Sequence, residues 1–400
     1  MRFCMVKERL TLVNPERFAE EHKIAPEKLD AAIAKATAKL AVLAKRSGMD
    51  KFPPTCSKEF LYPMGENKHW ECGMYTGCYW LAYELTGDEF FRQTAEAQLE
   101  SYRKRVDEKI GMDDHDVGFV FTPSCVAAYK LTGNEFAKQA ALDALDYFYR
   151  TSYSKEGKFI IRIHSAWARG DGCRTMMDSL MNAPLMFWGA KETGNKDYYQ
   201  AGLDHNRTTA ELLIREDGSS FHHYQFDPKD ASPVRGLTFQ GYADDSCWSR
   251  GHSWGVYGFP IAYSYTGDET LKETHRNITY FMLNHLPEDM IPFWDYYFDK
   301  DSYKDSSAAA IAACGMIEMA KHLPDDAEEK KVFISAANQM VESLIDNYTT
   351  DIGRVYDGLI HHVTHAVPFD AGFDECAIYG DYFFLEALLR LKNPEWKMYW

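Results

Sequence analysis

The sequence predicts an all-α fold, an (α/α)6 barrel of six helical hairpins with short strand insertions in the loops at one mouth. Three observations predict it. Helical periodicity marks twelve segments, at about 26–46, 69–85, 88–109, 114–131, 134–151, 174–192, 195–215, 245–265, 268–286, 306–322, 326–349 and 374–392. Their compositions alternate. Those beginning at 69, 114, 174, 245, 306 and 374 are rich in Gly, Ala, Met and aromatics, while 88–109 and 326–349 carry a strongly charged face. A helix that is apolar all round is buried and an amphipathic one covers it, so six helices belong inside and six outside. The third observation is a recurring turn: YELTGDEFF (83–91), YKLTGNEFA (129–137), KETGNKDYY (191–199) and YSYTGDETL (263–271). Gly takes the left-handed position after one helix and the following Asp or Asn caps the next. A superhelix of helical repeats is the alternative way to stack the same hairpins.

The remaining elements are short. Residues 158–169 (KFIIRIHSAWAR) and 219–228 (SSFHHYQFDP) read as strands, and 287–305 and 350–373 as long loops. All four lead into an inner helix, directly or through the loop 229–244, which gathers them at one mouth, where loops on a rigid scaffold carry function. No linker interrupts the pattern, so residues 1–400 are expected to form a single (α/α)6-barrel domain with 1–25 as an N-terminal extension.

Composition narrows the function classes. The chain has 44 Lys and Arg against 60 Asp and Glu, a net charge of −16 that repels nucleic acid and anionic membranes. No run of about 18 apolar residues exists to span a membrane. The first residues, MRFCMVKERLTLVNPERF, lack the apolar core and cleavage site of a secretory signal. The nine cysteines are scattered and odd in number, which reads as free buried thiols. A cytoplasmic location follows as the expectation, or a periplasmic one had a leader been removed. No CxxC pair or HExxH occurs, so no metal and no cofactor is expected. A barrel of this kind is self-contained and demands no obligate protein partner.

The chemistry concentrates in a few acids. Asp178 is the single acid in RTMMDSLMNAPLMFW (174–188), a segment expected to be an apolar helix that Pro184 bends just past the acid. A buried carboxylate costs several kcal/mol unless hydrogen-bonded or protonated. Asp178 is therefore either a loop or helix cap or a working acid. Asp116 lies in a similar setting, HDVGFVF, near His115, whereas Asp114, Asp244 and Asp305 read mainly as acids favoured at helix N-termini. Desolvation raises a carboxyl pKa and a helix N-terminus lowers it, so two acids in one pocket can hold different protonation states. Trp70, Trp167, Trp248, Trp254 and Trp294 fall at or beside the mouth, each either core or a surface on which sugar rings stack. Within 235–255 (RGLTFQGYADDSCWSRGHSWG), Arg250 can fork onto a carboxylate, unless it pairs with Asp244 or Asp245 at the surface.

HDVGF (115–119), RTMMDSLMNAPLMFW (174–188), TFQGYADDSCWSRGHSWGVYGF (238–259), DSSAAAIAACGMIE (305–318) and YGDYFFLEALLRL (379–391) together resemble the unsaturated glucuronyl hydrolases of glycoside hydrolase family 88. The similarity runs from about Trp70 to the C-terminus, in order. It implies the same (α/α)6 barrel and removal of the 4,5-unsaturated uronic acid from the non-reducing end of lyase-generated oligosaccharides. Ordinary glycosidases flank the anomeric bond with two carboxylates. The resemblance implies instead hydration of the C4–C5 vinyl ether. Asp178 would be the general acid and base, protonating C4 and activating the water that adds at C5, for which proton donation to carbon calls for a raised pKa. Asp116 would be its partner, hydrogen-bonding ring hydroxyls and helping to stabilise charge at C5. The remaining pocket residues would be Trp70, His222, Gln240, Arg250 and Trp254. Gln240 and Arg250 would lie on the uronate side and Trp70 and Trp254 would stack, with His223 as the other choice of register for His222. The loop 350–373 matches no specific pattern, which leaves the second sugar open.

Three other readings stay beside this one. An unsaturated rhamnogalacturonyl hydrolase would run the same chemistry on pectin fragments. A non-catalytic carbohydrate-binding barrel has little use for a buried acid, and a sugar epimerase would want paired histidines that the inner helices lack.

Overall fold

The computed structural model describes residues 8–162, 173–351 and 356–400. Fourteen helices follow one another among the described residues: α1 (Pro26–Ser47), α2 (Cys72–Thr86), α3 (Glu89–Ala97), α4 (Leu99–Glu108), α5 (Val117–Phe121), α6 (Ala127–Thr132), α7 (Glu135–Ser152), α8 (Pro184–Thr193), α9 (Lys196–Leu212), α10 (Ser249–Thr266), α11 (Glu269–Asn284), α12 (Ser306–Ala320), α13 (Glu328–Ser343) and α14 (Ile378–Lys392). They make the expected (α/α)6 barrel. The inner ring closes as α2 meets the α5–α6 segment, then α8, α10, α12, α14 and α2 again. The outer layer is α1, α3 with α4, α7, α9, α11 and α13, with α1 lying across α14 and α2. Burial follows composition: every residue of α12, SSAAAIAACGMIEMA, is buried.

The four recurring turns form as expected. Gly87, Gly133, Gly194 and Gly267 sit at φ 69°, 71°, 72° and 63°, and the next residue caps the following helix in each case. Asp88, Asn134, Asn195 and Asp268 accept from the backbone N–H of Phe90, Ala137, Asp197 and Thr270. These turns stand at the C-terminal ends of inner helices, so the N-terminal ends of those helices face the opposite mouth.

Several boundaries differ, each for a local reason. The expected helix 114–131 is split by a π-helical turn, Thr122–Val126, around Pro123, which has no N–H to give. The expected helix 88–109 is divided at Gln98. Helices expected from 245 and 374 start at Ser249 and Ile378. The larger correction concerns 174–192. After two short strands, β1 (Tyr153–Ser154) and β2 (Phe159–Ile160), Arg174–Met176 is a third strand, β3, Met177–Met181 is a 3-10 turn, and Pro184 is the first residue of α8 rather than a kink within a longer helix. Asp178 therefore rides on a tight turn ahead of the helix.

That strand belongs to an antiparallel sheet in the order β3-β4-β5, with β4 at His223–Phe226 and β5 at Pro233–Leu237. Met176 pairs with His223, and His223 with Leu237. The strand expected over 219–228 is thus confined to β4, and β5 lies in a stretch read as loop. Of the segment 158–169, Phe159–Ile160 is extended and pairs with Tyr153–Ser154; residues 163–169, Trp167 included, lie outside the described residues. The eight cysteines among the described residues are free. No helix there is long and apolar enough to cross a membrane.

Candidate active site

The N-terminal ends of the inner helices bring the two suspected acids to one imidazole. His115 Nε2 is 3.1 Å from Asp178 Oδ1 and 3.4 Å from Asp116 Oδ1, while Nδ1 bonds the Asp114 carboxylate. The His115 side chain is buried, and Asp116 and Asp178 retain 16% and 15% of their side-chain surface. They are thus reachable without being solvated on all sides. Asn182, four residues beyond Asp178, locks the arrangement. Its Oδ1 accepts from Phe119 N–H at 2.8 Å, and its Nδ2 donates to Asp116 Oδ1 at 3.3 Å. Gly118 permits this: a Cβ there would stand 2.4 Å from the Asn182 Cα, a backbone atom with no room to move.

The charges in this cluster are set by one another. Burial works against a charged His115, but the carboxylates of Asp116, Asp114 and Asp178 outweigh it and raise its pKa to about 10. Both ring nitrogens therefore carry protons and donate. Burial opposes ionisation of Asp114 as well, yet His115 and Arg162 beside it hold its pKa down at about 2. For Asp116 burial wins: with Asp114 and Asp178 adding repulsion, its pKa rises to about 7 despite His115. Asp114, His115 and Asp116 could bring ligand atoms within 4.8 Å of one another around a cation. The imidazolium occupies that position with protons rather than lone pairs, a donor set better suited to holding carboxylates.

An aromatic wall adjoins the acids. Trp70 stacks on Tyr379, with ring centroids 5.6 Å apart and planes at 17°, and leans on Phe119 at 5.1 Å. Trp254, 2% exposed, lies behind Phe119 at 5.2 Å and against Phe383 at 5.4 Å. Tyr379 and Trp248 sandwich the Arg250 guanidinium, 4.8 and 4.6 Å from their ring centres. Arg250 does not pair with Asp244 or Asp245. It pairs with the fully buried Asp305 and donates to the carbonyl oxygens of Thr364, at 2.8 Å, and His365. Asp305, read as a helix-terminus acid, is thus the counter-ion of Arg250. Asp244 stays exposed and accepts from Thr238 N–H. Gln240 Nε2 also donates to the His365 carbonyl, at 2.9 Å, which sets Gln240 and Arg250 side by side.

His222 joins the same group. Its Nδ1 accepts from Phe239 N–H at 3.2 Å, its ring lies 4.5 Å from Trp248, and its carbonyl accepts from Met177 N–H beside Asp178. Its Nε2 is buried without a partner among the described residues, and burial lowers its pKa well below the ordinary value, leaving a neutral ring. His223, one step along the strand, stacks instead on Phe239 at 4.1 Å. Trp294 is committed elsewhere, its Nε1 donating to Ser302 Oγ.

Sequence reasoning singled out Asp116, Asp178, Trp70, His222, Gln240, Arg250 and Trp254, and the fold gathers them. It passed over the roles of His115, Asn182, Asp305 and Tyr379. The run DDHD and the four-residue step from Asp178 to Asn182 were the available signals for two of them. The other end of the barrel differs in character. A cavity of about 1070 Å³ opens there among Lys130, Lys191, Lys321 and residues 393–400, at the C-terminal ends of the inner helices and away from these acids.

A family model described as Glycosyl Hydrolase Family 88 matches residues 43–371. The chain is 38% identical to an unsaturated chondroitin disaccharide hydrolase of Streptococcus pneumoniae, over 97% of both chains. Its fold superposes on the crystal structure of an unsaturated glucuronyl hydrolase from Streptococcus agalactiae with a TM-score of 0.94, at 33% identity and 98% coverage of each. A variant of an unsaturated glucuronyl hydrolase from that organism, complexed with dGlcA-GalNAc6S, matches with a TM-score of 0.87, at 32% identity and the same coverage.

Proposed function

The chain belongs to glycosyl hydrolase family 88 and is a glycosidase, and from that premise we propose that the Asp116–His115–Asp178 cluster releases the 4,5-unsaturated uronic acid from the non-reducing end of lyase-generated glycosaminoglycan oligosaccharides. The observation that carries this reading is the convergence of Asp116 and Asp178, 62 residues apart in sequence, on the buried ring of His115. Relatives named for unsaturated chondroitin disaccharides support a substrate of that class.

In its carboxylic-acid form Asp178 delivers a proton to C4 of the vinyl ether, and positive charge develops at C5 and the ring oxygen. The Asp178 carboxylate so formed takes a proton from water as that water's oxygen bonds to C5. The hemiketal then opens by breaking its bond to the ring oxygen, leaving a ketone at C5. C1 is left as a hemiacetal, which expels the rest of the sugar as an alcohol. General acid and base action of this kind is worth about 10²–10⁴ in rate. Asp116, neutral below about pH 7, hydrogen-bonds ring hydroxyls without adding a second anion beside the substrate's carboxylate. The N-terminal ends of the inner helices bring partial positive charge to the same mouth. Gln240 and Arg250 define the uronate side, with His222 next to them, and Trp70 forms the aromatic wall, with Trp254 packed behind Phe119 as its support.

Following the ultraviolet absorbance of the conjugated enol ether on unsaturated chondroitin disaccharide tests the reading. Loss of absorbance with release of the second sugar is the expected result. Loss only on unsaturated rhamnogalacturonan products would move the substrate to pectin, and binding with no turnover of either would make the barrel a carbohydrate binder.

A further inference from the structure

Among the described residues the tyrosines that stand out into solvent are Tyr242, Tyr297 and Tyr303, 51, 65 and 47% exposed. All three lie on the two segments that run into α10 and α12 at the mouth. The rings of Tyr242 and Tyr297 are parallel, with centroids 4.4 Å apart and planes at 22°, and Phe298 sets its edge against both at 5.1 and 5.2 Å. Tyr303 stacks on Phe373 at 5.5 Å. Rings this exposed leave apolar faces in water, which is unfavourable unless something covers them.

These rings are also held in place. The carboxylate of Asp295, fully buried, accepts from the backbone N–H of Tyr242 at 2.9 Å, from that of Tyr297 at 2.9 Å, and from Ser246 Oγ at 2.7 Å. One acid thus fixes two exposed aromatics from different loops. Tyr242 follows Gln240 by two residues, and Gln240 shares the His365 carbonyl with Arg250. The Tyr242 half of the aromatic ledge is therefore carried by the same loop as Gln240.

We propose that the Tyr242–Tyr297 ledge binds the sugar rings beyond the second residue of longer unsaturated oligosaccharides. The inference rests on the reaction proposed above. An enzyme that removes the non-reducing terminal sugar must let the rest of the chain leave the pocket over the rim. A rigid pair of aromatic faces there suits the apolar C–H faces of pyranose rings, whereas the acids and Arg250 lie deeper.

The test compares unsaturated chondroitin disaccharide and tetrasaccharide as substrates for the wild type, Tyr297→Phe and the double variant Tyr242→Ala/Tyr297→Ala. The double variant should raise KM for the tetrasaccharide about tenfold, the scale of one to two aromatic stacking contacts. Its kcat should hold, its disaccharide kinetics should stay within about twofold, and Tyr297→Phe should behave as wild type. Equal effects on both substrates, or none on the tetrasaccharide, would overturn the ledge while leaving the reaction intact. Failure of the wild type to consume either substrate would overturn both. Sedimentation run in parallel gives a further outcome: a dimer that the double variant abolishes, with tetrasaccharide KM unchanged, would assign the patch to a second copy of the chain and refute the sugar subsite.

Discussion

His115 Nε2 donates to Asp178 Oδ1 across 3.1 Å while Nδ1 is held by Asp114. The ring cannot rotate without breaking one bond or the other, so it fixes where the Asp178 carboxylate points. Its charge also compensates acids that would otherwise repel one another in a partly dry site.

Asp178→Asn keeps the shape and hydrogen-bonding capacity of the side chain and removes its proton chemistry. The variant should fold with an unchanged circular dichroism spectrum and lose at least about 10³-fold in kcat on the unsaturated disaccharide. Near-normal turnover would remove Asp178 from the role of acid and base.

His115→Gln tests the imidazolium through stability. A group whose pKa is raised by folding, here from 6.5 to about 10, contributes stability that is fully present below 6.5 and is lost as pH rises through 10. The Tm difference between wild type and variant should therefore be large near pH 6.5 and shrink toward pH 10. A difference constant across that range would mean the ring acts by shape alone.

Asp116 should mark the activity profile. Its carboxyl stays protonated below about 7, and ionisation above that adds an anion beside Asp178 and the substrate's own carboxylate. kcat/KM should thus fall as pH rises through about 7, and the residual activity of Asp116→Asn should lack that limb. Steady-state kinetics of both proteins from acid to alkaline pH decide it.

The buried pair of Arg250 and Asp305 offers a double-mutant cycle. Removing either partner strands a charge among Trp248, Tyr379 and the loop carbonyls, at a cost of about 3–5 kcal/mol. Arg250→Met and Asp305→Ala should each lower the denaturation midpoint strongly, and the double variant by clearly less than their sum. Additive losses would show that the pair is not coupled.

What the sequence revealed and what it hid divide along a physical line. The hairpins were legible because Gly at a left-handed position and a capping Asp or Asn are local requirements, met within a few residues. The inner helices were legible because burial on all sides leaves a composition such as that of α12. The turn carrying Asp178 was not: Arg174–Met176 pairs with β4 about 50 residues away, and Pro184 suits both a kink and a helix start. Asp305 stands at the N-cap of α12, as a helix-terminus acid should, but its pairing with Arg250 was hidden for the same reason, since that partner lies 55 residues earlier. The acids themselves stood out because a lone carboxylate in apolar surroundings is conspicuous wherever the backbone takes it.

The Thr-Gly turns and the acids occupy opposite ends of the barrel. Each of the four turn glycines has open space where a Cβ would stand, so only its backbone angle restricts the residue there. The end that reverses the chain is thus built from short, interchangeable joints, and the end that carries the acids from long inserts that no joint depends on. Such a molecule can lengthen, shorten or rewrite its mouth while its skeleton stays in register. New sugar specificities can therefore arise within loops such as 356–373 or 293–305 as long as Asp305 and the Thr364 and His365 carbonyls that hold Arg250 are kept.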